Sequence, residues 1–164
     1  MLTHVHPATV HFPIAFLLLA SGAGLLYLYW RPLDWLLTLT WWPMGLGWLG
    51  TLVAMVTGLL AQSGLPPDAP YWAVLNGHIT SGMALWVLYG LLLYWQWLFR
   101  KKPARRPKTA TNNPVLPAPT DLLQVPAAKL RLTVMLLIGI GLVLASGWNG
   151  GQLVYTWGVN VLQR

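Results

Sequence analysis

The chain has no cysteine, and only 8% of its 164 residues are charged. The first absence excludes a disulfide framework, thiolate metal sites, iron–sulfur clusters and covalently attached c-type haem. It leaves histidine as the one strong nitrogen ligand for a metal. The second absence excludes an ordinary soluble domain, in which about 25% of residues carry charge. Acidic residues number three, so paired-carboxylate catalysis has little to work with. Ser21, Ser63, Ser81 and Ser146 stand in no nucleophile motif, which makes hydrolysis the weakest functional reading. Charge inside the apolar runs is also missing, and coupled transport usually needs it.

What remains is apolar: 56% of the chain is hydrophobic, with eleven tryptophans and six tyrosines. The expected fold is all-α, an integral membrane bundle of four helices running up and down as a single domain over residues 1–164. The first span is expected over 9–30, close to the ~20 residues that cross a bilayer. It has no basic run ahead of it and is interrupted by Pro13, so it reads as a retained span rather than a secretory leader. The second span is expected over 36–62, with a kink at Pro43. Gly47, Thr51, Ala54 and Gly58 form a stripe of small residues along it, suited to close helix approach. Pro66-Pro67-Asp68-Ala69-Pro70 ends that helix, and Tyr71 and Trp72 suit the membrane interface. The third span is expected over 75–99 and the fourth over 130–148, where Gly150-Gly151 should stop or sharply turn the helix. Residues 100–129, basic and proline-rich, read as an exposed linker.

The net charge of +7 is a topology signal and not a nucleic-acid footprint. Arg31 lies in the first connection, and eight further basic residues lie in or beside the third, from Arg100 to Arg131. The positive-inside rule makes these connections cytoplasmic and both termini extracytoplasmic. The expected location is a bacterial cytoplasmic membrane, with all four histidines on the outer side.

Those histidines carry the functional reading. His4, His6 and His11 cluster at the mouth of span one, and His78 lies at the mouth of span three. His11 and His78 are matched in depth within one helical turn. Each is followed four residues later by a small residue, Ala15 and Gly82, on the same helical face. Two imidazoles above shallow grooves are what a haem b needs, because its iron takes a nitrogen from each side. His11 and His78 are therefore the expected axial ligands, Ala15 and Gly82 the residues that make room, and His6 and His4 weaker candidates. A copper or zinc site on His4, His6 and His11 is the second metal reading. Trp148, Tyr155 and Trp157 read as interfacial anchors.

His6-Pro7, Val10-His11-Phe12-Pro13-Ile14-Ala15, Gly147-Trp148, Gly150-Gly151-Gln152-Leu153-Val154-Tyr155 and Gly158-Val159 resemble a bacterial membrane family, domain of unknown function 2231. The likeness extends along the whole chain and includes a histidine in the third helix, here His78. It implies four membrane helices and a distant similarity to haem-carrying membrane cytochromes. The family often has an acidic residue where Gln152 stands and a histidine where Trp157 stands. Those departures tell against a ligand or proton role for the C-terminal motif in this chain.

The leading expectation is thus a small b-type-cytochrome-like subunit holding one haem b near the outer face between spans one and three. It would pass electrons within a larger redox complex, to or from a quinone or an extracytoplasmic carrier. The alternative is a cofactor-free structural or assembly subunit that packs through the span-two stripe and its aromatic surface. Lipid bilayer and membrane-protein partners are expected in either case, and nucleic acid in neither.

Overall fold

We describe residues 5–101 and 119–159 of a computed structural model of the chain. Five α-helices follow in order: α1 (Val5–Thr9), α2 (His11–Tyr29), α3 (Asp34–Gln62), α4 (Trp72–Lys101) and α5 (Lys129–Tyr155). Two short 3₁₀ turns, Leu122–Gln124 and Pro126–Ala128, lead into α5, and no strand occurs among the described residues. Four helical runs are long and apolar enough to cross a membrane, beginning with His6–Tyr29, where α1 continues almost directly into α2. Helices of 27 to 30 residues measure about 40–45 Å at about 1.5 Å per residue, enough for the hydrocarbon core and both headgroup regions.

The four long helices form an up-down bundle. α2 packs against α3 and α5, and α4 against the same two, which leaves α2 and α4 on one diagonal. Outward faces remain apolar: Leu46, Leu49, Val53, Val56 and Leu60 of α3 are all exposed. In water such a surface would drive aggregation; in lipid it is the ordinary surface of a membrane helix. Hydrophobic burial contributes little between helices in lipid, so close packing and hydrogen bonds hold the bundle.

Small residues make that closeness possible. A methyl group at Gly47 would lie 2.8 Å from Leu17 Cγ, so α2 and α3 meet at a distance only glycine allows. At the bundle centre the Tyr89 phenol, fully buried, bonds the Ser21 hydroxyl at 2.7 Å across the α2–α4 diagonal. Trp48 Nε1 donates to the carbonyl of Trp86 at 2.9 Å, and the two indoles stack 5.3 Å apart. Hydroxyls facing the dry interior satisfy themselves on their own helix, as Thr40 does on Leu36 O (2.7 Å) and Thr51 on Gly47 O (2.8 Å).

The structure departs from sequence expectation in two places. α5 does not end at Gly150-Gly151 but runs on to Tyr155. In a membrane the backbone must satisfy its own polar groups, which outweighs the low helix propensity of glycine. The stop comes instead at Gly158, whose φ of 62° is left-handed, with Val159 N–H returning to Leu153 O at 2.9 Å.

The second departure is in the stretch expected as an exposed linker. Residues 102–118 lie outside the described residues, but 119–128 fold onto the bundle and bury Asp121, Leu122, Leu123 and Ala128. Asp121 Oδ1 accepts from Trp41 Nε1 and from Leu123 N, both at 3.0 Å. Its Oδ2 accepts from Gln96 Nε2 at 2.5 Å and Arg100 at 3.2 Å. Gln96 Oε1 in turn accepts from Leu122 N at 3.0 Å. A buried carboxylate is tolerated there because donors from α3, α4 and its own turn surround it.

Candidate histidine site at one end of the bundle

The end of the bundle opposite Asp121 gathers polar groups from four helices. His6 of α1 lies over α3, where its Nδ1 is 3.1 Å from Thr57 Oγ1. Thr57 also donates to the carbonyls of its own helix, Ala54 at 3.0 Å and Val53 at 3.1 Å. With the single Thr57 hydrogen so used, its oxygen accepts from His6 Nδ1–H. Thr9 ties the turn by donating to His6 O at 2.9 Å.

His78 of α4 points towards α5, its Nδ1 2.9 Å from the carbonyl of Ser146. A carbonyl can only accept, so Nδ1 carries the proton and Nε2 keeps its lone pair. Both imidazoles are half-buried. Their ring centres lie 6.0 Å apart with planes at 82°. Each ring rests on a glycine: a methyl group at Gly58 would lie 3.1 Å from His6 Cε1, and one at Gly150 would lie 3.1 Å from His78 Cε1. Gly77 makes the same room for Asn149, whose Nδ2 would be 3.1 Å from a methyl there.

His11 is elsewhere. Its side chain is exposed at the start of α2, and the structure does not bring it to His78. The cause is helical rotation. Pro13, Leu17, Ala20, Ser21 and Gly24 form the buried face of α2. At about 100° per residue, His11 falls about 120° from Leu17, whereas His6 precedes Leu17 by about three turns and returns to the buried face. Ala15 is exposed with His11. These two share a helical face with Ile14 and Leu18, which line an apolar groove of about 580 Å³ closed on the α5 side by Leu144, Gly147 and Trp148. A methyl group at Gly82 would meet nothing within 4 Å, so Gly82 does border open space. His4 lies outside the described residues. No group of three or more His, Cys, Asp or Glu side chains able to hold a metal ion exists among the described residues.

Residues 3–163 match a family model, that of a predicted membrane protein, DUF2231. The chain belongs to this family. Comparison with curated proteins and with solved structures found no match. DUF2231 membership agrees with the four apolar helices and leaves the chemistry to be read from the site itself.

Residues that sequence reasoning left out of the site are Thr57, Gly58, Ser146 and Asn149; Gly150 was expected, with Gly151, only to make room for the ring. The signal for two positions was present: Gly58 ends the small stripe of span two, and Gly150 lies in the C-terminal glycine pair. The stripe is covered within the chain: Gly47 meets Leu17, Gly58 meets His6, and Thr51 and Ala54 are buried.

Proposed function

We propose that this membrane protein is a small redox subunit that binds one haem b between His6 and His78. The pair of ring centres at 6.0 Å carries the reading. A metal–imidazole bond is about 2 Å long, and two imidazoles on opposite sides of one ion have centres roughly 6 Å apart. Both Nδ1 atoms are already committed, to Thr57 and to Ser146, which leaves Nε2 of each ring as the donor to iron. Two protein ligands are too few for the usual tetrahedral zinc site. They suffice for haem, whose macrocycle supplies the remaining nitrogens. Gly58 and Gly150 support the same reading, since a side chain at either would occupy the space the imidazoles use.

Haem would supply one-electron chemistry. The chain's own residues hold the two imidazoles, fix their tautomers and keep the site at one end of an apolar bundle. By the positive-inside rule the end bearing Arg100 and Lys129 faces the cytoplasm of a bacterial cell and the histidine end faces outward. Held at that depth by His6 and His78, such a group would suit electron exchange with a quinol or an extracytoplasmic carrier inside a larger assembly. The structural-subunit alternative is weaker, because the stripe on which it relied is occupied by the chain's own side chains.

The deciding experiment is an absorption spectrum of the detergent-purified, haem-supplemented protein, oxidised and dithionite-reduced. A Soret band and a sharp reduced α band are expected, lost in His6→Ala and His78→Ala and retained in His11→Ala. A featureless spectrum from folded protein would overturn the proposal.

A further inference from the structure

At the basic end of the bundle the seam between α2 and α5 opens into a second apolar groove, of about 660 Å³. Leu25 and Leu26 form one wall and Leu137 the other, and Gly22 lies at its deep end. A methyl group at Gly22 would meet nothing within 4 Å, so α5 does not fill the floor. From Gly22 to Trp30 the groove runs about 12 Å along the helix at about 1.5 Å per residue. That is most of the roughly 15 Å of hydrocarbon in one leaflet.

Its shallow end is polar and positive. The Tyr29 hydroxyl is 2.9 Å from Thr133 Oγ1, which closes the groove between the two helices. Thr133 spends its own hydrogen on Lys129 O at 2.9 Å, so Tyr29 is the donor in that pair. Lys129 Nζ sits 4.2 Å from the centre of the Tyr29 ring, held over the mouth. Trp30, 72% exposed, flanks it, and Arg31 follows directly in the chain. Among the described residues no carboxylate pairs with Lys129: the one ion pair there joins Arg100 to Asp121. A leaflet-deep apolar channel ending under an unpaired cation at headgroup level is complementary to a lipid with a negative headgroup.

We propose that this groove binds one anionic phospholipid, its acyl chain against Gly22, Leu26 and Leu137 and its phosphate on Lys129. The site is independent of the histidine site and of any redox role. The lipid would also fill the α2–α5 seam, which the chain's own side chains leave open here.

The test reconstitutes the full chain with equal amounts of phosphatidylglycerol and phosphatidylcholine of matched acyl chains, then counts retained lipid by native mass spectrometry. Wild type should retain phosphatidylglycerol preferentially, at about one per chain. Lys129→Gln should reduce that preference about fivefold, the weight of one basic residue near a charged headgroup. Arg131→Gln, about 200° round the helix from Lys129, should leave it unchanged. Gly22→Leu should lower retention of both lipids by filling the floor. Equal retention of the two lipids by wild type would overturn the proposal. So would identical effects of the two charge substitutions, or a lipid-free dimer showing that a second copy covers the seam.

Discussion

Tyr89 stands over Gly139 so closely that a methyl group at residue 139 would lie 2.7 Å from the phenol Cζ. No rotation of a fully buried ring relieves such an overlap. Gly139→Ala should therefore force α4 and α5 apart and lower stability by about 1–3 kcal/mol, the usual cost of overpacking. Thermal unfolding in detergent measures it. Tyr89→Phe should cost less, about 1 kcal/mol for the lost Ser21 hydrogen bond in a membrane bundle. It should not rescue Gly139→Ala, because the ring carbon that meets the methyl remains; Tyr89→Leu should.

The two glycines of the C-terminal pair have different neighbours. A methyl group at Gly150 meets the His78 ring, and one at Gly151 meets nothing within 4 Å. Gly150→Ala should displace His78 and weaken the haem binding proposed above. Gly151→Ala should leave binding intact and raise helix stability by up to about 1 kcal/mol. Parallel haem titrations and melting curves of the two variants check this, and equal loss of binding would contradict the assigned seat of His78.

Thr57 acts on the site through His6 and is a positioning residue. Thr57→Val keeps the shape but leaves His6 Nδ1 without its acceptor, whereas Thr57→Ser keeps the hydroxyl. Loss of such a supporting partner typically costs 10–100-fold in metal affinity. About a tenfold loss is expected for the valine variant with a shifted reduction potential, and near-normal values for the serine variant. A spectroelectrochemical titration reads both.

At the other end, Asp121→Ala strips acceptors from Trp41, Gln96 and Leu123 at once. A loss of about 2–3 kcal/mol is expected, from buried donors left unpaired. Asp121→Asn should be milder but not neutral: its oxygen can serve Trp41 and Leu123, while its amide would face the Gln96 amide. Gln96 is unable to turn round to accommodate it without abandoning Leu122 N. Denaturation midpoints, together with protease cleavage within residues 119–128, separate the three proteins.

The four spans were legible because each is a long uncharged run, and the family resemblance because its motifs sit at both ends. The site was legible at His78 and not in the first span. His78 meets His6, five residues ahead of the expected His11, because the face of α2 that is buried is set by which small residues Leu17 and Pro13 must meet on α3. That choice places His6 and not His11 inside. The fold of residues 119–128 left a local trace, since Asp121 and Gln124 have the spacing of a capping box and do form one. The prolines around it concealed that trace, and its partners Trp41 and Gln96 are remote in the chain. Gly150-Gly151 misled for a different reason: a helix-stopping rule calibrated in water does not carry over to lipid.

Asp121 joins α4 to the approach of α5 through bonds that bypass the backbone between Lys101 and residue 119. Covalent continuity across that stretch should therefore be dispensable for assembly, which co-expression of the two pieces would check. A gene severed there would yield two pieces, one with three spans and one with the fourth, that recognise each other through a carboxylate, an amide and an indole.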